Sequence, residues 1–150
     1  MRNRRVIVGV DPKGRSTVTA DEKDLARNEQ PNGILLQEIW WQEQVPARAD
    51  DDGVRVGEIG LAPPPGGAVI RILTVPPTRF TADEWVPNLH YDDSLHVITM
   101  TSGELGVVLE EGEVTLRAGD SVILPGSVHD LRNSTDEPAS FVYTSFPLAR

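Results

Sequence analysis

Short apolar runs with a period of two, separated by turn residues, dominate the hydrophobic pattern of the chain. The clearest run is Ala68–Val75, which ends at Pro76-Pro77, a pair that lacks N–H donors and cannot continue a ladder of backbone hydrogen bonds. Further along, the same alternation places His96, Ile98 and Met100 together on one face of a strand. The pattern therefore predicts many short strands and an all-β fold.

Several other elements follow from the same periodicity. Residues 6–10 and 16–19 flank a Pro- and Gly-containing turn and predict an N-terminal hairpin. Residues 20–33 are polar, with one candidate helical turn at 21–25 and no apolar stripe, and indicate a mobile connector. Further strands are predicted over residues 34–41, 107–110, 114–117, 122–124 and 140–146. We therefore expect an arm and connector over residues 1–33 and a β-barrel domain over residues 34–150.

Composition and charge restrict the class of protein. With 150 residues, 39% of them hydrophobic, the chain is long enough for one domain with one core. The net charge of −9, with no basic run beyond residues 2–5, argues against a nucleic-acid partner. The first apolar run stops at Val10, too soon for an export signal or a membrane span. Together with the absence of cysteine, this leads us to expect a cytoplasmic protein without a membrane partner.

All three histidines of the chain fall within two short segments of its C-terminal half. His90 and His96 lie in one segment, which runs on to Gly103, and His129 lies in the other, which begins at Gly119. Imidazole is the commonest protein ligand for transition-metal ions. The clustering therefore predicts a metal site.

The second of these segments resembles a motif of the cupin family. Gly119, Pro125, His129 and Asn133 stand in the order of the second cupin motif, although the turn between Pro125 and His129 is one residue shorter than usual. Asn133 occupies a position that is chiefly structural in that family. His129 is accordingly the histidine whose assignment the motif supports best.

The first segment resembles the first cupin motif with an altered ligand set. Counting back from Gly103 puts His96 where the family has glutamate, and His90 and Asp92 where it has paired histidines. In the alternative frame, Asn88 pairs with His90, and His96 has no role. We prefer the first frame, in which the resemblance implies His90, His96 and His129 as ligands and Asp92 as a possible fourth. Asp92 could equally accept a hydrogen bond from an imidazole or face solvent.

The resemblance implies a jelly-roll barrel, or double-stranded β-helix, preceded by an N-terminal β arm. It also implies a divalent metal ion, whether Fe, Zn, Mn or Ni, and a small organic substrate of aromatic or polyketide-like type from secondary metabolism. The implied reaction is either a dioxygenation or a redox-neutral cyclisation, isomerisation or decarboxylation. Cupins commonly dimerise, and the apolar arm would expose unpaired backbone unless it joined a sheet, so we expect a homodimer.

Candidate roles can be assigned to individual side chains. His96, Asp92 and Tyr143 are the candidate catalytic residues, although Tyr143 could instead be a core residue. Apolar side chains that could line a substrate pocket, or simply pack the core, are Phe80, Trp85, Ile98, Met100 and Leu131. Two alternatives remain: a metal-free isomerase in which a histidine paired with Asp92 or Asp130 is the general base, and a non-catalytic cupin that binds a small molecule.

Overall fold

A computed structural model describes residues 3–81 and 83–149, so the first two residues of the predicted arm lie outside the described part. Within that part the regular elements are all strands, which confirms the all-β fold. In chain order they are β1 (Arg5–Val10), β2 (Ser16–Glu22), β3 (Arg27–Glu29), β4 (Leu35–Gln42), β5 (Ala68–Val75), β6 (Ser94–Ser102), β7 (Glu104–Leu109), β8 (Gly112–Arg117), β9 (Ser121–Pro125), β10 (Asp130–Arg132) and β11 (Ala139–Pro147).

The strands form two sheets of a jelly roll and a separate hairpin. The larger sheet has the order β3-β4-β5-β11-β6-β9, and the smaller has the order β10-β7-β8. All strand pairs in these sheets are antiparallel. Because β11 lies between β5 and β6, this last strand is hydrogen-bonded both to the strand before His90 and to the strand that carries His96.

Glycines allow the chain to approach itself closely at two junctions. A Cβ on Gly67, just before β5, would lie 1.8 Å from the carbonyl oxygen of Gln42. Gly103, between β6 and β7, has a φ of 74°, and a Cβ there would lie 2.8 Å from the Cα of Ala139. Only glycine fits both the positive φ and the close contact at the second junction.

The hydrophobic core lies between the two sheets. Buried apolar side chains from both sheets pack into one cluster, which contains Leu36, Leu73, Val75, Ile98, Met100, Leu105, Val107, Leu116, Leu124, Ala139 and Phe141. Removing this apolar surface from water is the main force that holds the sheets together. As the period-two pattern predicts, Ile98 and Met100 share the buried face of β6 with His96.

The inward face of the larger sheet changes from apolar to polar along the barrel. The cross-strand register defines one row of apolar side chains, Leu36, Leu73, Phe141 and Met100. The next row is mixed and contains Glu38, Arg71, Tyr143 and Ile98. A third row contains Trp41, Val69, Ser145, His96 and Leu124. The polar side chains of the second and third rows place a candidate site toward one end of the barrel.

Residues 20–33, expected to form a connector, contain strands in the structure. β2 continues to Glu22, with no helical turn at residues 21–25, and Leu25 is only 4% exposed. β3 then pairs with β4 and extends the larger sheet, so a domain boundary after residue 33 would separate two hydrogen-bonded strands. A three-residue polar strand has too few positions for a period to be detected, and its neighbour in the sheet decides its conformation.

The N-terminal hairpin forms as predicted from β1 and β2. Its base is tied to the barrel, because Arg5 donates hydrogen bonds to the carbonyl oxygens of Ile39 and Gly53. One face of the hairpin remains apolar and exposed, and it carries Val6, Val8, Val10 and Val18.

Candidate metal centre

His90 and His129 are joined directly through their backbones. The amide of each residue donates to the carbonyl oxygen of the other, with N···O distances of 3.0 Å and 2.9 Å. The two ring centroids lie 4.9 Å apart. The fold therefore brings together two histidines that are 39 positions apart, on the segment between β5 and β6 and on the turn before β10.

Both rings are oriented by a carbonyl oxygen two residues earlier in the chain. Nδ1 of His90 lies 2.8 Å from the carbonyl oxygen of Asn88, and Nδ1 of His129 lies 2.7 Å from that of Ser127. Because a carbonyl oxygen can only accept, each Nδ1 carries the proton and donates it. In the neutral rings, Nε2 then keeps its lone pair, which is the arrangement that a metal-binding imidazole requires.

His96 lies deeper, on β6, and is only 5% exposed. Its ring centroid is 5.9 Å from that of His129. Burial lowers the pKa of His96, because desolvation disfavours the charged ring; Asp92 opposes this shift and the other two histidines add to it. The imidazole of His96 is therefore held neutral, as both a ligand and a general base must be.

Asp92 lies against His96, with Oδ1 at 3.0 Å from Nε2. This oxygen is itself buried, although the Asp92 side chain as a whole is 43% exposed, and its close contact among the described residues is with the ring of His96. A buried carboxylate oxygen with so few partners marks a place where a proton or a cation would be stabilised.

Two side chains of β11 contact the other nitrogen of His96. The hydroxyl of Tyr143 lies 2.7 Å from Nδ1 and 3.4 Å from Nε2, and Oγ of Ser145 lies 3.1 Å from Nδ1. Burial raises the pKa of Tyr143 to about 12, so its hydroxyl stays protonated and donates. Asp92, His96 and Tyr143 thus form a contiguous polar network, which brings together the three candidate catalytic residues.

The donor set fits a single divalent ion in several respects. Two imidazoles on one ion, each with a metal–nitrogen bond of about 2.1 Å, have ring centroids about 5 Å apart, close to the spacing of His90 and His129. The Nδ1 contacts leave Nε2 of His90 and of His129 available, and Asp92 supplies a buried oxygen in contact with the ring of His96. However, in the described part of the chain no three or more such side chains already surround one point. The contact with Asp92 turns Nε2 of His96 toward the carboxylate instead.

The side chains predicted to line a substrate pocket are not brought together. Ile98 and Met100 are core residues, at 1% and 2% exposure, and Leu131 packs against the same cluster. Phe80 is exposed, and Trp85 lies beside the guanidinium of Arg132 at 5.1 Å. Two cavities of about 230 Å³ each lie elsewhere, one beside Trp41 and the acidic loop at residues 51–52 and the other between β3 and the turn before β11.

Asp130 does not pair with a histidine in the described structure. Its carboxylate instead accepts hydrogen bonds from the backbone amides of Asn88 and Leu131, both at 2.8 Å. Asn133 is fully buried and bonded to the backbone on both sides of its turn, which agrees with a structural role.

Sequence reasoning missed the charged residues inside the barrel. Arg71 is fully buried on β5, beside Tyr143 in the cross-strand register, and Glu38 faces it from β4. A usable signal exists for Arg71, because it interrupts the apolar run of Ala68–Val75 at an inward position. Ser145 shares the inward face of β11 with Tyr143 and could have been found from the same alternation.

Antiparallel sheets that enclose a core and carry a histidine cluster toward one end define a small jelly-roll barrel. Residues 73–145 match the family model described as Cupin domain. The barrel from Leu73 to Ser145 belongs to the cupin superfamily. None of the curated proteins compared with the chain matches it in sequence.

Two solved structures with TM-scores above 0.5 agree with this fold. The Cnp3 cupin domain of Schizosaccharomyces pombe has a TM-score of 0.58 and 8% identity, covering 98% of this chain and 89% of that chain. A Cupin 2 conserved barrel domain protein from Salinispora arenicola has a TM-score of 0.52 and 20% identity, covering 81% of each chain. A sugar phosphate isomerase of the cupin superfamily from Silicibacter pomeroyi has a TM-score of 0.43 and 21% identity over 52% of this chain. The chain spans about half the length of that isomerase, since the match covers 49% of the isomerase chain.

In the described part of the chain, no helix has the length and apolar character needed to cross a membrane.

Proposed function

We propose that the chain is a metal-dependent cupin enzyme acting on a small organic substrate. A divalent ion of Fe, Zn, Mn or Ni would be held by His90 and His129, with His96 and Asp92 adjacent to complete the site. The proposal is carried by the matched orientation of His90 and His129, each with Nδ1 bonded to a backbone carbonyl and Nε2 left available. Three clustered imidazoles with one nearby carboxylate suit ions of this class.

When bound, such an ion supplies Lewis-acid polarisation of a substrate oxygen or, as iron, the redox chemistry of an oxygenase. The residues of the chain supply the remaining functions. Tyr143 keeps its proton, because burial raises its pKa to about 12, and its hydroxyl can donate a hydrogen bond. His96 stays neutral and lies between Asp92 and Tyr143, where it can accept a proton or act as a ligand.

The reaction is proposed as either a dioxygenation or a redox-neutral cyclisation, isomerisation or decarboxylation. An aromatic or polyketide-like substrate is proposed from the resemblance of the sequence to small single-domain cupins, since the side chains predicted to line a pocket are not brought together around the histidines. Three-histidine centres serve both kinds of chemistry, so the ligand set is compatible with either.

Metal analysis tests this function. The untagged protein, reconstituted with Fe, Zn, Mn or Ni ions in turn and freed of excess metal, should retain about one equivalent. His90→Ala and His129→Ala should each lose most of it, whereas Asp136→Ala, at an exposed turn, should not. Retention of less than about a tenth of an equivalent of every ion by the wild-type protein would overturn the proposal.

The network of Asp92, His96 and Tyr143 favours a second candidate function, a metal-free isomerase. In this reaction Nδ1 of His96 would accept a substrate proton in place of its hydrogen bond from Tyr143 and return it at a second position of the substrate. Asp92 would stabilise the imidazolium in between, and the freed hydroxyl of Tyr143 would donate a hydrogen bond to the substrate. The two candidates differ in a substrate screen run with and without a chelator. Turnover that survives complete metal removal and is lost in His96→Gln would favour the metal-free reaction.

We also propose that the protein forms a homodimer through its arm. The hairpin of β1 and β2 exposes a stripe of valines, and a two-stranded hairpin is only marginally stable in water by itself. Contact between two copies would remove this stripe from water.

A further inference from the structure

The segment that carries His90 is attached to the strand that follows His129. This segment, residues 76–93, connects β5 to β6, and contacts with residues 129–133 hold it in place. Near its start, the amide of Thr78 donates to the carbonyl oxygen of Asn133 at 2.8 Å. At its far end, His90 and His129 exchange the two backbone hydrogen bonds described above. The position of His90 therefore depends on how this segment is held against β10.

The side chain of Asp130 also holds this segment, through a hydrogen bond two residues before His90. Its Oδ2 accepts from the amide of Asn88 at 2.8 Å, and its Oδ1 accepts from the amide of Leu131 at 2.8 Å. Asn88 in turn accepts, through its carbonyl oxygen, the hydrogen bond from Nδ1 of His90 at 2.8 Å. One carboxylate thus holds the residue whose carbonyl orients the imidazole.

The carbonyl oxygen that orients His129 lies in a short turn between two strands. Ser127, whose carbonyl oxygen accepts from Nδ1 of His129, lies in the short turn between β9 and β10, which are members of the two sheets. Asn88, by contrast, lies late in a long connection whose described residues form no regular strand. Of the two orienting carbonyls, the one at Asn88 is therefore more dependent on a side chain for its position.

We propose that Asp130 is a positioning residue for His90. It acts through Asn88 and fixes both the place of the ring and the tautomer with a free Nε2. This inference rests on the proposed metal-binding function, because the benefit of a fixed Nε2 is ligation. Loss of a group bonded directly to a ligating histidine typically weakens metal binding by about 10- to 100-fold, and Asp130 acts one hydrogen bond further out, so we expect the lower end of that range.

A double-mutant cycle with Zn²⁺ as the probe tests the route through His90. Asp130→Ala should weaken Zn²⁺ binding by about 10-fold relative to wild type, and Asp130→Asn, which keeps an acceptor oxygen, should be intermediate. In a His90→Ala background, Asp130→Ala should change the affinity by less than about 3-fold, because the residue through which it acts is gone. Asp136→Ala is the matched control and should bind Zn²⁺ as the wild type does. Equal losses in both backgrounds would overturn the proposal.

A measurement on metal-free protein separates this inference from the proposed function. In wild type, ¹⁵N NMR should show His90 with its proton on Nδ1, and the Asn88 amide should be protected from hydrogen exchange. In Asp130→Ala the Asn88 amide should exchange faster and the His90 tautomers should mix, while His129 is unchanged. An unchanged His90 ring and Asn88 amide would overturn the role of Asp130. Failure of the wild-type protein to bind any Zn²⁺ would instead count against the metal site, and these NMR spectra would still decide on Asp130.

Discussion

Glu38 and Arg71 form an ion pair inside the barrel, with Oε2 of the carboxylate 3.0 Å from Nη2 of the guanidinium. The other oxygen of Glu38 lies 3.0 Å from Nε of Arg55, so one carboxylate is shared by two guanidinium groups. The remaining donors of Arg71 reach the carbonyl oxygens of Gly60 and Leu61. Desolvation lowers the pKa of Arg71, and the pairing with Glu38 opposes that shift. This cluster ties the connection between β4 and β5 to the interior of the barrel.

Glu38→Gln should strongly destabilise the protein, because it leaves two buried guanidinium groups without a carboxylate. Breaking a buried pair by removing one partner typically costs about 3–5 kcal/mol. Arg55→Gln should cost less, since it leaves a balanced pair of Glu38 and Arg71. Urea denaturation measures both effects, with the exposed Glu111→Gln as control. A Glu38→Gln variant within about 1 kcal/mol of wild type would contradict this account.

In the metal-free protein, the lowered pKa of His96 makes stability depend on pH in the acidic range. Below its usual pKa of 6.5 the unfolded chain binds a proton at this ring before the folded chain does. The free energy of unfolding should therefore fall as the pH drops below 6.5, until the folded-state pKa is reached. NMR titration of the three histidines and urea denaturation across this range would check it. His96→Gln should lose this part of the dependence; a His96 that titrates at or above 6.5 would contradict the prediction.

At high pH, Tyr143 should have the opposite effect on stability. Its pKa of about 12 in the folded protein lies above the ordinary value of 10.0, so the unfolded chain loses the phenolic proton first. The free energy of unfolding should fall between pH 10 and 12, by at most about 3 kcal/mol from this group. Tyr143→Phe should remove that contribution, and the exposed Tyr91→Phe should retain it. Absorbance titration of tyrosinate provides a second measurement; a Tyr143 that ionises near pH 10 would contradict the prediction.

Val8→Asp should weaken the proposed homodimer without unfolding the chain. Val8 is 63% exposed in the monomer, so a charge there has little effect on the fold but would be buried at an interface made by the arm. Light scattering over a range of concentrations measures the mass. Deleting residues 1–19 should have the same effect, with Val56→Asp, at a fully exposed site of the loop before β5, as control. An unchanged mass for both arm variants would exclude the arm as the interface.

Strands with their own apolar period could be predicted, and polar strands could not. The bounds of Ala68–Val75 follow from its β-branched residues and from the prolines that stop it. By contrast, Arg27–Glu29 has no apolar residue, and it is a strand because β4 offers it a partner. The candidate catalytic trio of His96, Asp92 and Tyr143 could be named from motif and alternation, whereas its neighbours Ser145 and Arg71 became evident from the register of β11.

The order of residues over a few neighbouring positions was enough to determine the strand period, the all-β class and the candidate histidines, because each depends on residues a few positions apart. Tertiary structure decided the rest. The contacts that orient each imidazole and place Asp92 beside His96 join residues two to four positions apart, but their geometry is set by the fold. The bond from the Asn88 amide to Asp130 joins residues 42 positions apart. The charge inside the barrel is of the same kind, since Glu38 and Arg71 are 33 positions apart and meet only when β4 and β5 pair.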